Sequence, residues 1–269
     1  MKIVARRLTA SLLGLFLLGA ISCETPSSSS AFPPGDREAD YAAVELTGVE
    51  PAGHPSEAGA LVAEATGTRI RIYRHAGDSE AWTSLRNPGP FRAPRVFLVR
   101  EMRDDWVRAL LPMEPNGSDG WLRTGDVRLT EHPFRIEVDL GARRLTAYRG
   151  DRVILRQPAA VGTASTPTPT GRFFTTLLAR PDDPSGPYGP FAFGLSAYSE
   201  VLDTFAGGDG QVAIHGTNSP WTIGQAVSHG CIRLTNRAIT KLARLLPLGT
   251  RSASPADRRG CSRNWVQAK

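Results

Sequence analysis

The chain has 269 residues, of which 41% are apolar and 22% charged, with a formal net charge of +6. That length allows two modest domains with separate cores, in a composition ordinary for a globular protein. Beyond the first twenty-odd residues no run is apolar enough to span a bilayer as a helix. No dense basic helix or basic–aromatic stripe suits nucleic acid. The three cysteines form no CxxC and no spaced Cys/His cluster, so neither a disulfide scaffold nor a metal site is expected, and no cofactor motif occurs.

Residues 1–22 read as a secretory signal peptide. Lys2, Arg6 and Arg7 precede the apolar run Ala10 to Ile21. Cys23 follows, in the place where a bacterial lipoprotein carries its lipidated cysteine, although Ala20 stands where a lipobox has Leu. Lipidation at Cys23 would anchor the protein to a membrane. The alternative is simple cleavage after Ser22. Removing the signal takes away three cations and no acid, leaving +3, a mild excess compatible with life beside anionic wall polymers or headgroups. Residues 23–60, rich in Ser, Pro, Gly and Ala, read as a flexible linker.

Residues 61–131 carry short β-prone runs: Thr68 to Tyr73, Arg95 to Val99, Trp106 to Leu111, Gly120 to Leu122 and Asp126 to Leu129. Asn87-Pro88-Gly89-Pro90 and Pro115-Asn116-Gly117 supply turns between them. Five such strands suggest a small β-barrel. The Trp106-Val107-Arg108-Ala109 and Gly120-Trp121-Leu122 segments resemble a bacterial SH3-like module. On that resemblance Trp106 and Trp121 either face the wall or fill the barrel core, with core filling the better reading.

A second domain, residues 132–250, opens with the alternating run Phe134 to Leu140, then Arg144 to Tyr148 and Val153 to Leu155. Thr166-Pro167-Thr168-Pro169-Thr170-Gly171 has two prolines without N–H donors, so it is an edge or a loop rather than a central strand. Phe173 to Leu178 and Phe191 to Leu195 resume strand character. Asn236 to Leu246 is the one convincing helix, capped by Thr235 or Asn236 and stopped by Pro247 and Gly249.

Chemistry concentrates in one window. Two of five histidines, His215 and His229, and one of three cysteines, Cys231, fall there, with Gly216 and Gly230 beside them. A thiol attacks as thiolate, and an adjacent imidazole is the usual means of making one. His215 ends the β-prone run Gln211 to Ile214, and Cys231 lies just before the helix. Imidazolium and helix-start N–H groups would both favour thiolate.

Ile214-His215-Gly216-Thr217 followed by Ser228-His229-Gly230-Cys231-Ile232-Arg233-Leu234, with Thr166 to Phe173 and Leu145 to Tyr148 upstream, resembles the L,D-transpeptidase catalytic domain. The resemblance implies a mainly β protein: a small SH3-like β-barrel, then an L,D-transpeptidase-type β-sandwich with one or two short helices. It implies Cys231 as nucleophile, His215 as general base and acid, His229 in support, and the Gly216 carbonyl orienting the base. Ser228, Gly230, Arg233 and Tyr188 would contact substrate, Tyr198 could border the cleft, and the N–H groups of Gly230 and Cys231 could bind an oxyanion. The implied partners are peptidoglycan stem peptides in the cell wall, and the implied reaction is 3→3 cross-linking in the cell envelope without cofactor or metal. Two readings stay open beside it, an L,D-carboxypeptidase and an idle wall-binding lipoprotein. Where the family continues with a Pro-Val-x-Ile strand, this chain reads Arg251-Ser252-Ala253-Ser254-Pro255. That polar stretch predicts a missing terminal strand and a disordered tail over 251–269.

Overall fold

The computed structural model describes residues 59–204 and 208–254. Cys23, the signal segment and the far C-terminus lie outside the described residues.

The first half is built from seven strands, β1 (Ala60–Ala65), β2 (Arg69–Ile72), β3 (Thr83–Arg86), β4 (Val96–Arg103), β5 (Trp106–Leu110), β6 (Asp119–Arg123) and β7 (Val127–His132). Five form one antiparallel sheet in the order β6-β5-β4-β1-β7, and β2 pairs with β3. The five runs seen in the sequence are five of these strands. β1 and β3 escape notice because Ala60–Ala65 is Ala-rich and does not alternate, a composition that favours helix as much as strand. β1 is nevertheless held on both sides, by β4 and β7. Trp121 is buried, and Trp106 meets Tyr73 edge-on at 4.9 Å under the guanidinium of Arg123, so both indoles serve packing.

The second half adds β8 (Phe134–Asp139), β9 (Arg144–Arg149), β10 (Arg152–Pro158), β11 (Val161–Gly162), β12 (Gly171–Ala179), β13 (Ala192–Tyr198), β14 (Gln211–His215), β15 (Ala226–Ser228), β16 (Ile232–Arg233), helix α1 (Asn236–Ala243) and β17 (Arg251–Ser254). Eight strands form a sheet in the order β10-β9-β8-β17-β12-β13-β14-β16, while β11 and β15 make a small parallel pair. The fold is mainly β with one α-helix among the described residues. Alternation along β8 turns Ile136 and Val138 inward, where they join Leu145, Phe193, Ile214 and Ile232. α1 lays Ala238, Ile239 and Leu242 on the same core, its N-terminus capped by the Thr235 hydroxyl accepting the Ala238 N–H.

The terminal strand predicted to be missing is present. β17 lies in the middle of the sheet, parallel to β8 and antiparallel to β12, and all four of its residues are buried. Strand propensity is decided by context, and here two neighbouring ladders satisfy the backbone of a polar segment. The Ser254 hydroxyl also finds an acceptor, donating to the Pro169 carbonyl at 2.6 Å. The expected tail therefore does not begin at Arg251.

The two halves share an apolar seam in which Ala60, Val62, Val96 and Leu110 meet Phe174 and Leu248. Gly249, at φ +81°, comes so close to Val62 that an added Cβ would lie 2.5 Å from its methyls.

Candidate active site

Cys231 sits in the turn between β15 and β16, half-buried. β16 runs parallel to β14, pairing Ile232 with Ile214 and Arg233 with His215, which sets the thiol beside the end of the strand that carries the imidazole. The Ala213 N–H points at the Cys231 Sγ at 3.4 Å.

His215, the last residue of β14, is 3% exposed. Its Nδ1 lies 2.6 Å from the Gly216 carbonyl oxygen. A carbonyl only accepts, so Nδ1 carries the hydrogen and Nε2 keeps its lone pair. The Tyr188 ring covers the imidazole at 4.7 Å between centroids.

Burial dominates the electrostatics. It pulls the His215 imidazole down to about 4, against the Gly216 hydrogen bond and with help from the Arg233 charge. Burial pushes the Cys231 thiol up, opposed by the Ala213 N–H and by Arg233. The resting pair is therefore a thiol and a neutral imidazole. The N–H that reaches the sulfur comes from strand β14, whereas the sequence pointed to the helix start. Burial, with the neighbouring sulfur, also lifts the Tyr188 hydroxyl above its ordinary range.

The turn holding Cys231 is ordered from within. Buried Ser228 accepts the Gly230 N–H at 3.1 Å and donates to the Cys231 carbonyl at 2.6 Å. Its hydroxyl hydrogen and one of its two lone pairs thus order the turn. The Gly230 N–H is directed at that hydroxyl. The Cys231 N–H makes no hydrogen bond among the described residues and remains for that purpose. Gly230 adopts φ +117°, a conformation that favours glycine. His229 is exposed, between buried Ser228 and Gly230. Arg233 keeps its place beside His215, and its Nε is buried without a hydrogen-bond partner among the described residues. Tyr198 lies elsewhere, against the first half, with its hydroxyl on the Pro112 carbonyl.

Two contributors were not visible as such in the sequence. The Thr-Pro segment is a buttress. The Thr168 hydroxyl accepts the Gly162 N–H at 2.9 Å and donates to the Gly230 carbonyl at 2.8 Å, and the Thr166 hydroxyl donates to the Ser228 carbonyl at 3.1 Å. Its prolines keep the backbone extended while the threonines support the Cys231 turn. The second is Asn236, read in the sequence as a helix cap. Its Oδ1 instead accepts the Thr217 N–H at 2.8 Å, reaching out of the helix to the loop after His215. Among the described residues no group of three or more His, Cys, Asp or Glu could hold a metal ion.

A half-buried thiol close to a strand-end imidazole, with a free backbone N–H at the sulfur's own residue, combines the parts that nucleophilic thiol chemistry uses. Similarity to known proteins bears on this class: residues 133–254 match the model of the L,D-transpeptidase catalytic domain family, YkuD. The chain is 41% identical over 119 residues to the YkuD protein of Bacillus licheniformis, and 40% identical over the same length to that of Bacillus subtilis. Both are assigned by name to the L,D-transpeptidases. Each match covers 44% of this chain and 64% of the relative, so the chain spans less than two thirds of their length. Among solved structures, the catalytic domain of an E. faecium L,D-transpeptidase shares 25% identity, with 45% of this chain and 95% of that one covered and a TM-score of 0.31.

Proposed function

We propose that the protein is a peptidoglycan L,D-transpeptidase of the cell envelope, forming 3→3 cross-links through a Cys231 thioester. The observation that carries this reading is the His215 imidazole, held by the Gly216 carbonyl with Nε2 left as a base, on the strand whose neighbour leads from Cys231. In the first step Sγ attacks the carbonyl carbon between the L-centre of a diaminopimelate residue and a terminal D-alanine, and Nε2 takes the thiol proton. Because the resting pair is neutral, this transfer accompanies attack instead of preceding it. The Cys231 N–H supports the oxyanion. When the C–N bond breaks, the imidazolium protonates the leaving D-alanine amine. An amine of a neighbouring stem then attacks the thioester, gives its proton to Nε2, and releases the sulfur, which recovers that proton. Arg233, with a buried donor to satisfy, receives a stem carboxylate, and Tyr188 walls the cleft beside the base. The first half of the chain is read as an SH3-like module, and Cys23 as the site of a lipid anchor.

Incubation with purified disaccharide-tetrapeptides tests the reading. The expected products are 3→3 dimers and D-alanine, both abolished by Cys231→Ala. Release of D-alanine without dimers would identify a carboxypeptidase, and unchanged substrate would leave a wall-binding protein.

A further inference from the structure

We infer that Asn236 is a positioning residue for the base: its side-chain amide holds one of the two segments that touch His215 by a hydrogen bond and packs closely on the other. The inference rests on the reading of His215 as that base.

The Asn236 side chain is not needed by its own helix, because Thr235 caps α1 through the Ala238 N–H. Its Oδ1 accepts the Thr217 N–H at 2.8 Å, which fixes the backbone immediately after Gly216. The same oxygen lies against two glycines. A Cβ built on Gly216 would meet it at 2.4 Å, and one on Gly189 at 2.3 Å. The glycines also face each other, since a Cβ on Gly189 would sit 2.8 Å from the Gly216 Cα. No methyl group fits anywhere in this trio, and Gly189 holds φ +63° besides.

Each glycine belongs to a segment that touches the imidazole. The Gly216 carbonyl holds Nδ1, and Tyr188, the residue before Gly189, lays its ring on the imidazole. Asn236 thus ties the hydrogen-bond acceptor that selects the tautomer to the aromatic wall that keeps the ring in place. Without it the Thr217 N–H loses its acceptor, the Gly216 peptide can rotate, and the imidazole can place its hydrogen on Nε2, where it cannot take a proton from sulfur.

The experiment compares Asn236→Leu, which keeps bulk and removes the acceptor, with Asn236→Asp, which keeps the acceptor and adds charge. Two readouts are used: the ¹⁵N chemical shifts of histidine-labelled protein, with His215 assigned through His215→Gln, and the pH profile of Cys231 alkylation by iodoacetamide. Thr235→Ala serves as a control for a weakened helix. In the wild type and in Thr235→Ala, His215 is expected as the Nδ1–H tautomer. Asn236→Leu is expected to give mixed tautomers and alkylation about 10–100-fold slower, the scale on which mutation of ligand-orienting groups acts. Asn236→Asp should restore the Nδ1–H tautomer and move the acid limb of the profile upward by about one pH unit or more, because a carboxylate beside the imidazole favours its charged form. A folded Asn236→Leu with wild-type tautomer and rate would overturn the inference. So would an Asn236→Asp protein whose acid limb does not move, a result that decides the matter even if the Leu variant fails to fold. The tautomer signal needs no peptidoglycan, so failure of the transpeptidase reading would show as missing muropeptide products while leaving this result standing.

Discussion

At the scale of single residues, burial and backbone contacts settle the chemistry more than neighbouring charge does. The His215 ring meets a carbonyl where a carboxylate would otherwise hold it, so burial outweighs the one hydrogen bond that favours the imidazolium, and the ring stays neutral to about pH 4. The sign of the consequence is fixed. A base with a lowered pKa remains active above that value and fails only when acid protonates it. The acid limb of Cys231 acylation by a carbapenem is therefore expected near pH 4 rather than near 6.5, followed by intact mass against time. His215→Ala should slow acylation by about 10²–10⁴-fold, the usual range for losing a general base. An acid limb near 6.5 would mean that the ring is solvated and the burial argument wrong. The same refusal of a proton acts on stability. The unfolded chain binds it at about 6.5 and the folded chain does not until about 4, so the contribution of a neutral His215 is full above 6.5 and is lost as pH falls through that window. Buried His132, also held down to about 4, by burial first, adds in the same direction.

At the scale of elements, the strand β17 shows where sequence pattern loses its hold. Arg251–Ser254 has almost none of the β-branched or aromatic residues by which strands announce themselves, yet it fills the centre of the sheet between β8 and β12. A proline at Ala253 would remove an N–H and place a ring between two ladders, which a central strand does not tolerate. Ala253→Pro should thus unfold the second half or lower its urea midpoint sharply, as read by tryptophan fluorescence and circular dichroism. A near-normal midpoint would place this segment at the edge of the structure. The elements that were legible in the sequence share a reason. Phe134 to Leu140 alternates because one face of β8 is buried, and Asn236 onward repeats at helical spacing because one face of α1 packs on the core. The thiol–imidazole pair was legible because its residue types are scarce and adjacent in the chain. What stayed hidden depends on contacts distant in sequence: the Thr168 hydroxyl bridging to Gly230, Asn236 reaching Thr217, and β17 stabilised by strands more than seventy residues away. The part Ser228 plays in ordering the Cys231 turn was hidden likewise, since its hydroxyl bonds appear only once the turn is formed.

At the scale of the whole molecule, the two halves are joined more tightly than a linked binding module and enzyme would require. Besides the apolar seam around Phe174, the Asn116 side chain, in the turn between β5 and β6, pairs with the backbone of Tyr198 like a strand neighbour. Its Nδ2 donates to the Tyr198 carbonyl and its Oδ1 accepts the Tyr198 N–H, both at 2.8 Å. Tyr198 closes β13, and β13 pairs along its length with β14, which ends at His215. The first half thereby braces the far end of the ladder whose near end carries the base. Loss of these two partly buried bonds should cost roughly 1–3 kcal/mol, since Tyr198 would keep a donor and an acceptor without partners. For a unit of this size that lowers Tm by about 2–4 °C per kcal/mol. Calorimetry of the wild type is expected to show one cooperative transition, because the seam cannot be exposed on one side alone. Asn116→Ala should lower that transition intact, and Phe174→Asp, which places a charge in the seam, should split it in two. Two separate transitions in the wild type would instead mean that the halves fold independently and that the brace carries no energy. The same calorimetric series therefore decides whether the first half is part of the catalytic scaffold or merely attached to it.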